Sequence, residues 1–61
     1  MNKLRNIRKS MKVTQTELSA ITRIPYSCIC NYEKGRQIPS VKNALLIAKA
    51  LEHSVEDLFD E

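Results

Sequence analysis

Residues 25–34 read PYSCICNYEK, and the hydrogen-bonding side chains in this stretch are not scattered. Placed at about 100° per residue, Tyr26, Ser27, Cys30 and Asn31 fall in one sector roughly 140° wide, while Ile29, Tyr32 and Pro25 point the other way. The free sector holds a phenol, a hydroxyl, a thiol and an amide, with no charge and no large aliphatic group. Such a strip either touches a polar partner or is a weakly polar exterior. Covalent chemistry fits poorly. Cys30 and His53 are the familiar nucleophile and base, but they fall on separate segments with no pocket-forming sequence around them, so an enzyme is not expected. Cys28 and Cys30, the two cysteines, point to different faces of one helix and cannot bridge a regular turn. They read as reduced thiols, and with the distant His53 they are too few for a metal site, so neither metal nor cofactor is expected.

The elements that must position this strip are marked by their ends. Thr14 and Glu17 form a T-x-x-E capping box that starts a helix. Pro25, with fixed φ and no N–H to lose, suits the entry to the next helix, about residues 25–34, and Gly35 suits its left-handed exit. Upstream, residues 2–11 carry Leu4, Ile7 and Met11 on one stripe, with Lys3, Arg5 and Lys9 outside and Arg8 at its edge. Val13 suits a staple before the cap, and Leu18 and Ile21 are expected to face inward, beside the small Ser19 and Ala20. Downstream, residues 36–39 form a connector with Ile38 as the expected plug into the core. Ser40 then caps a helix whose apolar face is Val41, Ala44, Leu45, Ile47, Ala48 and Leu51. Ser54 and Asp57 cap a last short helix bearing Leu58 and Phe59. No stretch shows the period of two that strands require, so the fold class is all-α, a single domain over residues 1–61.

At 61 residues and 43% apolar, the chain can bury only a thin core, and self-association would add stability. It has no run of about 18 apolar residues and no signal-peptide core, so a cytoplasmic protein without membrane contact is expected. The net charge of +3 hides a gradient: residues 1–36 hold eight basic and two acidic side chains, residues 37–61 two basic and five acidic. The basic part coincides with the two central helices and their flanks, as on a surface that meets phosphates.

Five motifs then align with one family: L-x-x-I-R at residues 4–8, T-Q-x-E-L at 14–18, I-P-Y-S-x-I-x-N-Y-E-K-G at 24–35, I-P-S-x-x-x-A-L-x-I-A-K-A-L at 38–51 and S-V-E-D-L-F at 54–59. Over nearly its whole length the chain resembles the lambda-repressor-like, or Cro-type, helix-turn-helix domains. The resemblance implies a compact five-helix bundle whose third helix enters the major groove of double-stranded DNA. It puts Tyr26, Ser27, Cys30 and Asn31 toward base edges, with the Asn31 amide suited to adenine and Tyr26 to a thymine methyl or a phosphate. Gln15 matches a phosphate-holding position, and Thr14, Lys34, the Gly35 N–H and Arg36 flank the helix as further phosphate ligands. Arg8 and Glu33 match a partly buried ion pair; the alternative is two ordinary surface charges. The family often has Gly where this chain has Lys12, Arg23 and Glu52, which sets a demand for positive φ on non-glycine residues.

The function expected is that of a small transcriptional regulator of repressor type, a homodimer on a palindromic operator, with no small-molecule ligand. The dimer contact is expected around His53, Val55, Leu58 and Phe59, although Leu58 and Phe59 equally suit sealing the core. The competing expectation is an antitoxin-like or adaptor module whose main partner is another protein.

Overall fold

The computed structural model describes residues 2–59; the single domain expected over 1–61 also includes Met1, Asp60 and Glu61, which lie outside these. Five helices follow one another: α1 (Leu4–Ser10), α2 (Gln15–Thr22), α3 (Tyr26–Lys34), α4 (Val41–Leu51) and α5 (Val55–Phe59). α2 packs against α3 and α4, α4 against α5, and α1 against α3 and α5. Their shared core is Leu4, Leu18, Ile24, Ile29, Tyr32, Ile47, Ala48, Leu51 and Leu58. The two ends are joined through backbone, the Lys3 N–H donating to the Leu58 carbonyl at 3.0 Å. Asn2 adds a second tie: its Oδ1 accepts from the Leu4 N–H, and its Nδ2 donates to the Tyr32 carbonyl at 2.8 Å.

Helix starts follow the expected chemistry. Thr14 Oγ1 accepts from the Glu17 N–H while Glu17 Oε1 accepts from the Thr14 N–H, each at 3.0 Å. Ser40 and Ser54 likewise accept from the N–H three residues on. The Thr14 N–H, and then its hydroxyl, hold the Glu17 carboxyl below the ordinary glutamate range. The box therefore stabilises the fold in full above that range, and its contribution is lost as pH falls through the lowered value.

Several apolar residues are not where periodicity alone put them. Ile38 is 90% exposed rather than plugged into the core, whereas Tyr32 is buried, its hydroxyl accepting from Asn43 Nδ2 on α4. On α4 the buried stripe is Ala44, Ile47, Ala48 and Leu51, which leaves Val41 and Leu45 outside at 79% and 57% exposure. In α2 the inward partner of Leu18 is Thr22, not Ile21. Thr22 is polar but self-satisfied, donating to the Leu18 carbonyl and accepting from the Ile24 N–H, so Ile21 is left exposed. Met11 also lies at the surface, beyond the end of α1. Leu58 is fully buried and so is removed from the expected dimer contact, whereas Val55 and Phe59 pack on the core while keeping part of their surface. His53 is half-buried, with Nδ1 against the Leu51 carbonyl.

Helix exits are where the backbone is strained. Lys12, Arg23 and Glu52 take φ of 59°, 61° and 56°, the left-handed region, as does Gly35 at 73°. At Lys12, Gly35 and Glu52 the paired bonds of the Schellman motif hold the geometry; at Glu52 they run from Glu52 N–H to Lys49 and from His53 N–H to Ala48. A side chain with Cβ is disfavoured there, so Glu52→Gly is expected to stabilise the domain by roughly 0.5–1 kcal/mol, raising the thermal midpoint by several degrees. A lowered midpoint would show the strain to be absent.

Candidate nucleic-acid interface

Two short helices and a three-residue turn make the candidate surface. α2 ends at Arg23, whose N–H donates to the Ser19 carbonyl, and the Ser19 hydroxyl then reaches across the turn to the Ile24 carbonyl at 2.5 Å. Ile24 drops into the core at 3% exposure, anchoring the turn from below. Pro25 caps α3 from outside, its carbonyl accepting from the Cys28 and Ile29 N–H groups, so the helix begins one residue later than the sequence suggested. Pro25 itself is exposed, not packed.

Along α3 the inner face is Ile29, Tyr32 and Glu33, all buried. On the other side Tyr26 and Ser27 are exposed and Cys30 and Asn31 are half-buried, so all four share an accessible strip. Cys28 is half-buried and packs against the core. Within the strip the polar groups are already oriented. Tyr26 Oη donates to Gln15 Oε1 at 3.0 Å, the Cys30 thiol lies 3.5 Å from the same oxygen, and Asn31 Nδ2 lies 3.5 Å from Gln37 Oε1. The neighbouring Cys30 sulfur raises the Tyr26 phenol above the ordinary tyrosine range, by hydrogen bonding and then by charge. Tyr26 is thus a neutral donor throughout the neutral pH range. Gln37 and the Gln15–Tyr26 bond had no signal in the sequence, because each depends on how loop and helix are juxtaposed.

Beneath the strip lies the strongest polar contact among the described residues. Arg8 Nε donates to Glu33 Oε2 at 2.6 Å and its Nη2 to Oε1 at 3.2 Å, with the side chains only 8% and 4% exposed. Arg8 Nη1 also donates to the Val13 carbonyl, and Gln15 Nε2 donates to Glu33 Oε1 at 3.0 Å. One carboxylate therefore holds α1, the start of α2 and, through Gln15, the first turn of α3. Bonding to Glu33 uses one of the two amide hydrogens of Gln15, leaving the other as a free donor.

Among the expected phosphate ligands, the Gly35 N–H is already engaged. The Gly35 N–H donates to the Tyr32 carbonyl and the Arg36 N–H to the Asn31 carbonyl, so both close the end of α3. Gly35 is thus a helix terminator with no donor to offer. The side chains of Thr14, Lys34 and Arg36 remain exposed around the strip.

A helix-turn-helix family model matches residues 4–58, which takes in all but the last residue of the five helices. The chain belongs to that family, of the lambda-repressor and Cro type. No match is found among curated proteins. This helix-turn-helix family is one of DNA-binding transcriptional regulators, and its ligand is double-stranded DNA. Among the described residues of this helix-turn-helix domain, no helix is long and apolar enough to cross a membrane.

Removing one partner of the pair leaves the other charge buried and unpaired. Glu33→Ala should therefore cost about 3–5 kcal/mol, enough to unfold much of a domain this small, whereas the double variant Arg8→Met/Glu33→Leu should lose far less. Urea unfolding of the three proteins checks this; equal losses would contradict it.

Proposed function

We propose that this domain binds a palindromic operator as a homodimer and represses transcription by occupying the DNA, with α3 in the major groove. The observation that carries the reading is the uncharged accessible strip of Tyr26, Ser27, Cys30 and Asn31, flanked by the exposed cations Lys34 and Arg36. Uncharged donors and acceptors discriminate between base edges, while the cations around them meet the backbone. Asn31 offers donor and acceptor together for adenine; Tyr26, tied to Gln15, presents its ring edge to a base or its hydroxyl to a phosphate. Thr14 and the free amide hydrogen of Gln15 take a phosphate on the same wall of the groove.

A single domain of this size makes too few base contacts to locate an operator unaided, which favours two copies on half-sites about 34 Å apart. The surface best suited to the second copy is the exposed apolar run Ile38, Val41 and Leu45, next in the chain after α3. Ile38 and Pro39 also line a groove with Val55 and Phe59, so two residues of the expected dimer contact border this surface. Each domain measures 25 × 21 × 19 Å, which is smaller than the half-site spacing along every axis, so two copies fit side by side on such a site.

Selection of bound sites from random duplex DNA, followed by substitution, tests the reading. Asn31→Ala should relax preference at one base pair by about 1–3 kcal/mol, whereas Arg36→Ala should weaken all sites alike and lower the salt slope by about 1. Equal losses on every sequence would remove the case for base reading. Leu45→Glu should give a monomer in sedimentation and abolish two-half-site binding. A wild-type protein that is monomeric on DNA, with the same face held by a different protein, would favour the adaptor reading instead.

A further inference from the structure

A second groove runs beside α3, between it and α1, with a volume of about 690 Å³. Asn2, Arg8 and Glu33 contribute to its lining, and all three spend their polar groups on internal bonds. Its α1 side is Arg5, Asn6 and Lys9, and its α3 side ends in Lys34. Gln15 and Cys30 close it toward the base-facing strip.

The charges here are arranged against the interest of the fold. Arg5 and Lys9 stand four residues apart on one face of a seven-residue helix, a like-charge pair that destabilises an isolated helix. Both are exposed, and among the described residues neither forms an ion pair; the one carboxylate in the groove, Glu33, is already neutralised by Arg8. Three cations without an ion pair among the described residues, and an amide, thus line a concave strip continuous with Gln15. If α3 lies in the major groove, its two sides face the two sugar–phosphate walls, and α1 stands on the side where Gln15 meets one of them.

We infer that this groove is a phosphate-binding channel for the DNA strand that passes Gln15, with Arg5 and Lys9 as its principal ligands and Asn6 and Lys34 completing it. The DNA footprint then includes α1, outside the helix-turn-helix unit. This rests on the proposed placement of α3. The channel carries no sequence information: it adds affinity, salt dependence and a fixed orientation of the bundle on the duplex.

The test compares wild type, Arg5→Gln/Lys9→Gln and Lys49→Glu, the last making the same change in net charge on α4, on a selected duplex. For the double variant the expected result is an affinity loss of about tenfold or more and a salt slope lower by about 2, with unchanged base preference. Phosphate ethylation should reveal one or two positions per half-site that block wild type and Lys49→Glu but no longer matter to the double variant. The inference is overturned if the double variant keeps the wild-type ethylation pattern, or if Lys49→Glu loses as much affinity and slope. A wild-type protein that selects no duplex at all would instead overturn the proposed function, and a melting curve matching wild type confirms that the double variant is folded.

Discussion

The buried pairing of Arg8 with Glu33 is the constraint on which the candidate surface depends. Neither charge has a cheap alternative. With only 8% and 4% of these side chains exposed, water cannot replace a lost partner, so α1 and α3 must meet in one register. Glu33 then has a second lone pair to satisfy, and Gln15 fills it from the start of α2. Gln15 in turn presents its oxygen to Tyr26 and Cys30 on the first two turns of α3. A buried charge pair thus sets the orientation of accessible side chains through Gln15 on another helix, by successive hydrogen bonds rather than by packing alone.

The surfaces this scaffold leaves open divide by chemistry. Uncharged groups occupy the outer side of α3, cations occupy its flanks and the α1 groove, and a run of exposed aliphatic residues extends from Ile38 onto α4. A thin core helps explain the last of these. Among the described residues only nine form the main buried cluster, so apolar positions outnumber the inward-facing ones and the surplus lies at the surface.

Much of the fold was legible because its markers are local. Thr14 with Glu17, Ser40, Ser54 and Gly35 each act within one helical turn, so spacing alone reveals them. The errors came where the choice turned on which side chains the small core takes in. Ile38 stays outside while Tyr32 is buried, Ile21 loses its place to a threonine that satisfies its own hydroxyl, and of the two places open to Leu58 the core is the one it takes. For the candidate site, the division of α3 into an inner and an outer side was visible in its periodicity. The engagement of Gln15 by Tyr26, of Asn31 by Gln37, and of the Gly35 N–H by its own helix was not, because each requires knowing which donors are already taken.

The backbone bond from Lys3 to Leu58 makes the bundle a closed loop. α5 has only five residues, yet α1 leans on it as well as on α3. When that last helix frays, the bracing of α1 loosens with it, and Arg8 is carried away from the carboxylate that organises the opposite side of the molecule. Opening at the seam is therefore transmitted to the whole domain, which favours all-or-none melting and ties the shape of the α2–α3 face to the integrity of a five-residue helix at the other end of the chain.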